Sequence, residues 1–241
     1  MSGTSTTTLN EIKQQLHTLA DTGIAASSQR YFKTAKGQYA EGDIFLGIRV
    51  PVLRELAKRY KSLPLQHIQS LLASEYHEQR LLALIMLVNC YKKSSSNTRN
   101  EIFNFYLNST HYVNNWDLVD TSAVTIVGDH LSSADRAVLY QLARSENIWQ
   151  RRIAVIATFY FIRADDFTDC LEICRLLLND PEDLIHKACG WMLREIGKRN
   201  TAVEEDFLDQ HASDMPRTML RYAIEKLPTT KRKAYMAIKH R

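Results

Sequence analysis

The chain has 241 residues, enough for one large domain or an array of repeats and for a substantial buried core. Hydrophobic residues make up 45% and charged residues 24%, the composition of an ordinary globular protein. The longest apolar run, Leu81 to Val88, falls far short of the roughly 18–20 residues that span a bilayer, which excludes an integral membrane protein of the helical kind. With 31 basic and 27 acidic residues the net charge is +4, too small to name a partner by itself.

The first residues, Met1 to Thr8, are uncharged and rich in Ser and Thr, without the basic and apolar regions of a secretory leader. They are expected to fray, leaving residues 9–241 as one domain and the cytoplasm as its compartment. Leu9, Ile12, Leu16 and Leu19 recur at helical spacing and predict a first amphipathic helix over Leu9–Ala20. Ser27 to Tyr31 starts another. Thr34 to Asp43, with its Gly, Gln and Lys residues, reads as a loop, and Pro51 suits the first turn of a helix running to Tyr60.

From there similar units recur. Leu65–Ser74 is followed by Glu78–Cys90, Asn97–Leu107 by Trp116–Gly128, Ser133–Ala143 by Trp149–Phe161, Asp166–Leu178 by Leu184–Gly197, and Val203–Gln210 by Met219–Leu227. The second helices begin near 79, 116, 149, 184 and 218, a repeat of about 35 residues. Pro and Gly are sparse and alternating β-branched runs are absent, so the fold class is all-α. Helix pairs of this kind stack into an α-α superhelix, a solenoid with a concave inner face. Tetratricopeptide and ankyrin signatures are missing, and HEAT-like repeats are the best description, although these units are short for that class.

Cys90, Cys170, Cys174 and Cys189 all sit in apolar helical stretches and are expected to be buried free thiols. Neither they nor the eight scattered histidines have metal-ligand spacing, so neither a metal nor a cofactor is implied.

The candidate site is Trp116-Asp117-Leu118-Val119-Asp120. Trp116 and Asp120 lie four residues apart and share a helix face, while Asp117 is turned away from both. All three tryptophans (Trp116, Trp149 and Trp191) fall in second helices, with Arg151, Arg152, Lys187 and Arg194 near them. Aromatic planes interleaved with cations on one face suit a nucleic-acid surface. Trp149, directly after Ile148 at a helix start, is better explained as a staple between units. From Met215 to Arg241 eight basic residues face Glu225 alone, a net +7 that fits a phosphate backbone or a solvated tail equally well.

Five motifs in order, Arg30-Tyr31-Phe32-Lys33, Phe45-Leu46-Gly47-Ile48-Arg49-Val50-Pro51, Trp116 to Asp120, Asn147 to Arg152 and Lys187 to Glu195, resemble the AlkD-like DNA alkylation repair glycosylases. The resemblance runs from about Leu9 to Pro228. It implies a right-handed solenoid of HEAT-like repeats whose positive concave face binds double-stranded DNA. It also implies an enzyme that hydrolyses the N-glycosidic bond of cationic N3- or N7-alkylated purines. By motif, Asp120 becomes the catalytic carboxylate. Trp116 and Trp191 face the lesion, Arg152 meets the DNA backbone, and Tyr31 is an aromatic beside the same groove. Lys187 and Arg194 belong to the Trp191 motif and join the DNA-binding set. The protein is expected to act as a monomer.

The chemistry agrees with these residue types. A cationic base departs neutral and needs no general acid, while the sugar acquires oxocarbenium character that one fixed carboxylate can stabilise. On this reading Asp117→Asn costs little. Two features depart from the family pattern: Asn115 stands where some members carry a second Trp, and the 34–43 loop is long. A non-catalytic solenoid binding damaged or branched DNA, or a protein-binding scaffold, remain the alternatives.

Overall fold

The structure is a computed structural model that describes residues 3–239. Every named element among the described residues is helical, and β geometry is limited to one isolated bridge between Ile44 and Tyr76. No helix among them is long and apolar enough to cross a membrane. The chain separates into two compact units, Met1–Ser122 and Ala123–Arg241.

The first unit holds α1 (Gly3–Thr18), α2 (Thr22–Tyr31), α3 (Val50–Arg59), α4 (Leu65–Leu72), α5 (His77–Lys93), α6 (Ser96–Asn108) and α7 (Trp116–Ala123), whose last residue belongs to the next unit. The segment expected to fray is helical from Gly3 onward. Met1 and Ser2, like Arg241 of the basic C-terminal group, lie outside the described residues. The second helix also begins earlier than its apolar residues suggest, because Asp21 caps it: its Oδ1 accepts the Ile24 amide at 2.8 Å. Pro51 does sit in the first turn of α3, where its missing N–H has no helical partner to lose.

α5 is the centre of this unit. Leu81 through Val88 are all buried, so the helix is apolar on every side and packs against both α3 and α4. Each fully buried Leu in it contributes about 1.5–3 kcal/mol of transfer free energy. Its first turn is also buried, yet it reads His77-Glu78-Gln79-Arg80. Four polar side chains at 1–4% exposure must therefore find partners inside the protein.

The second unit holds α8 (Ala137–Ala143), α9 (Ile148–Ala157), α10 (Phe159–Ile162), α11 (Thr168–Leu176), α12 (Asp183–Gly197), α13 (Thr201–His211), α14 (Arg217–Ala223) and α15 (Thr229–Ala237). The helix pairs predicted from apolar spacing are all present in both units. One difference is that α7 does not run on as α-helix to Gly128: its continuation, Val124–Gly128, is a π turn. Another is that the helix expected over Trp149–Phe161 is divided at Thr158 into α9 and α10. α12 packs against α9 on one side and α14 on the other, so second helices of successive repeats lie side by side.

Two glycines show how the repeats are spaced. A Cβ on Gly128 would meet the Ala157 carbonyl at 2.4 Å and the Tyr160 Cβ at 2.7 Å. A Cβ on Gly190 would meet the Met219 carbonyl at 2.4 Å and the Tyr222 Cβ at 2.5 Å. In both cases the partners lie 29 and 32 residues downstream, so the same close approach is made twice in register. Gly190→Ala is expected to force α12 and α14 apart and lower stability by about 2–3 kcal/mol. A thermal melt should show this as a fall of roughly 5–10 °C; a melt within a degree of wild type would show the approach to be looser than described.

Candidate active site and nucleic-acid interface

The site is assembled in the first unit, around the buried first turn of α5. Glu78, 3% exposed, accepts three backbone amides of the preceding loop: Leu46 at 2.8 Å, Gly47 at 2.7 Å and Ile48 at 3.1 Å. The loop can approach this closely because Gly47 has φ +84°, and a Cβ there would fall 2.0 Å from the Asp21 carbonyl oxygen. The His77 amide returns a bond to the Ile44 carbonyl at 2.8 Å. The 34–48 segment, a loop as expected from its composition, is thus strapped onto α5.

Asp43, at the end of that loop, is 6% exposed and pairs with the Arg80 guanidinium and with His77 Nδ1, the latter at 2.9 Å. The other ring nitrogen, His77 Nε2, lies 2.8 Å from Asp117 Oδ2. Burial by itself lowers the affinity of His77 for its proton, but the hydrogen bonds to Asp117 and Asp43 outweigh it and lift the pKa to about 9. Burial likewise favours the neutral form of Asp43, yet the His77 bond and the Arg80 charge hold its pKa below the ordinary carboxylate value.

At neutral pH, therefore, His77 is an imidazolium donating to two carboxylates. Because the folded-state pKa lies above the unfolded value of about 6.5, this stabilisation is complete below pH 6.5 and is lost as pH rises through about 9. The difference corresponds to about 3 kcal/mol. Urea midpoints measured between pH 6 and 10 should fall over that interval in wild type and stay flatter in His77→Gln.

Asp117 is accordingly not the idle residue that its helix position suggests. It is turned away from Trp116 and Asp120, but towards a buried cation, and its Oδ1 also accepts the Leu118 amide at 2.9 Å. Through His77 it ties α7 to α5, a structural role that the residue's helix position did not suggest. Asn115 is fully buried, with its Oδ1 accepting the Trp116 amide at 2.8 Å, so it supports the start of α7 from within.

Aromatic rings continue the assembly. Phe45 stacks on the His77 ring at 4.3 Å, Phe32 lies 5.2 Å from the same ring, and Phe32 in turn stacks on Trp116 at 5.2 Å. Tyr31 meets the Trp116 ring edge-on at 5.9 Å and is 65% exposed. Trp116 and Asp120, both half-buried, line a cleft of about 860 Å³ together with Asp117, Asn89 and Thr121. Its remaining polar lining is cationic: Arg54, Lys58, Lys61, Lys92 and Lys93. A carboxylate and an aromatic plane thus sit in a pocket whose rim suits phosphates. The five cations were absent from the sequence reading, although Arg54 and Lys58 stand one turn apart on α3 and Lys92-Lys93 end α5.

The other named residues are in the second unit. Trp191 is half-buried, bonds Glu195 through Nε1 at 3.1 Å and lies 6.1 Å from the Phe159 ring. Lys187 pairs with Asp183 at 2.7 Å, and Arg194 with Glu225. Arg152 is only 5% exposed and donates to the Leu184 carbonyl at 2.8 Å, which places it inside the unit between α9 and the start of α12. Arg151 is tied to Asp180 at 2.6 Å. Trp149 is 6% exposed, with its amide capped by Asn147, the packing role expected of it. Of the cysteines, Cys170, Cys174 and Cys189 are buried free thiols, but Cys90 is exposed near the end of α5, contrary to expectation.

A sequence profile described as DNA alkylation repair enzyme matches residues 12–227. The chain belongs to this family. Three solved structures share the fold of this DNA alkylation repair protein. A predicted DNA alkylation repair enzyme from Enterococcus faecalis superposes with a TM-score of 0.68 at 19% identity, covering 87% of this chain and 97% of its own. AlkD2 from Streptococcus mutans gives 0.56 at 14% identity, with 85% and 97% covered. The smu.31 protein of Streptococcus mutans UA159 gives 0.55 at 16%, with 74% and 93% covered. No curated protein matches the sequence. The family places the chain among DNA repair enzymes and makes DNA its partner, and the helical-repeat fold expected from sequence is the fold observed.

Proposed function

We propose that this repair enzyme is a monofunctional DNA glycosylase that hydrolyses the N-glycosidic bond of cationic N3- or N7-alkylated purines in duplex DNA. The observation that carries the reading is the joint placement of Trp116 and Asp120 on the wall of a cleft fringed by five cations. The rim cations attract the phosphates flanking the lesion. The Trp116 face attracts the positively charged base, a contribution of roughly 0.5–2 kcal/mol depending on desolvation.

As the C1′–N9 bond lengthens, its electron pair moves onto the base and cancels the positive charge, so the leaving group needs no proton. The sugar becomes oxocarbenium-like, and the Asp120 carboxylate stabilises it by charge. Water adds to C1′ and passes a proton to Asp120, which returns it to solvent. Tyr31, edge-on to Trp116, extends the aromatic wall. In the second unit, Trp191 with Lys187 and Arg194 forms a further DNA-contacting surface, supported by the buried Arg152. The enzyme acts as a monomer in the cytoplasm, without a cofactor.

Incubating the purified protein with methylated duplex DNA and resolving the released bases tests this directly. Free alkylpurine is the expected product. DNA that is bound but yields no free base would instead mark a non-catalytic binder of damaged DNA.

A further inference from the structure

We propose that His77 is a positioning residue for the reaction: it sets the orientation of the Trp116 indole and, through α7, the placement of Asp120. Two independent structural links meet at its ring. The first is polar. Nε2 holds Asp117 at 2.8 Å, one residue after Trp116 and one turn before Asp120, so α7 is pinned at its first turn to the first turn of α5. The second is aromatic. Phe32 is in ring contact with both His77 and Trp116, at 5.2 Å in each case, so the indole packs on a ring whose own packing depends on His77. Phe45, stacked on the imidazole at 4.3 Å and on Phe32 at 5.0 Å, closes a three-ring cluster that keeps the imidazole from turning.

His77 does not line the cleft and touches no candidate substrate position, so it acts through other groups. The charged groups around it are Asp43 from the loop, Asp117 from α7, and Arg80 and Glu78 from its own helix. Asp43 is itself held by Arg80, so the imidazolium is braced from behind and directs its second N–H at Asp117. Loss of the His77 proton would remove one of its two donors and leave a carboxylate facing a bare ring nitrogen. The residue therefore couples indole orientation to protonation, which a merely space-filling side chain would not do.

The rate part of the test rests on the glycosylase reading; the spectroscopic part does not. The indole N–H resonance of Trp116, identified by its loss in Trp116→Phe, is followed from pH 7 to 10. In wild type it should move with a midpoint near 9. In Asp43→Asn the midpoint should fall, because the imidazolium has lost a charged partner. In His77→Gln the resonance should be displaced at all pH values without that titration, and base release should slow by roughly ten- to hundredfold with DNA affinity unchanged. An indole signal that is insensitive to pH in wild type, or a midpoint unmoved by Asp43→Asn, overturns the proposal, and neither measurement needs His77→Gln to fold. Unaltered base release by a folded His77→Gln would overturn it as well. If wild type releases no base, the glycosylase reading fails, and the titration alone decides whether His77 positions Trp116.

Discussion

Asp120→Asn is expected to slow release of alkylated bases by at least about a hundredfold, while leaving the fold and the binding of DNA intact. The substitution keeps the shape of the side chain and removes only its charge and basicity. If the carboxylate stabilises an oxocarbenium sugar, that charge acts in the transition state far more than in the bound ground state, so the loss belongs in the rate and not in affinity. Affinity could even rise, because a negative group is withdrawn from a cleft that faces a polyanion. The half-buried position on the cleft wall strengthens the case, since charge acts over a shorter screening path there than at an open surface. Single-turnover release from methylated duplex is the measurement. A rate within threefold of wild type would remove Asp120 from the mechanism.

Glu78→Ala is expected to have the largest effect on stability, about 3–5 kcal/mol. Three amides lose their acceptor together, at a site only 3% exposed where water cannot easily replace it. The strap from Asp43 to Ile48 should then lift, and with it the Asp43 brace behind His77. Glu78→Gln retains one carbonyl acceptor and should lose roughly half as much. Denaturation midpoints, together with limited proteolysis within residues 34–48, report both effects. A Glu78→Ala protein as stable and protease-resistant as wild type would mean that the loop is held by its apolar residues alone.

The helical pairs were legible because later second helices such as α12 bury an apolar stripe that leaves a 3.6-residue period in the sequence, while α5, buried on every side, shows instead as a continuous apolar run. The Trp116/Asp120 pair was legible for a related reason: on one helix, spacing is geometry. Asp43, His77 and Asp117 were not legible as a group. They lie 34 and 40 residues apart, on a loop and two helices, and no local rule brings them together. The burial of Asp43 was hidden for the same reason, since the composition around it marks a solvated loop. Arg152 shows the opposite failure. Its place beside a tryptophan on a second helix suggested a surface cation, whereas the α9–α12 packing encloses it. The early start of α1 escaped notice because Ser and Thr carry no apolar period, and the π turn after α7 has no compositional mark.

The paired glycines of the second unit carry one more consequence. Gly128 accepts the backbone beneath Tyr160, and Gly190 accepts that beneath Tyr222, so each glycine presents its bare Cα to the helix that follows it. The two seams therefore make the same demand: a glycine that admits a backbone carbonyl and a tyrosine Cβ from the helix ahead. The block between the two glycines, two repeats long, can then be removed or duplicated with a glycine still facing a matching backbone at each seam, which makes it a natural unit by which evolution or a designer would shorten or lengthen the array.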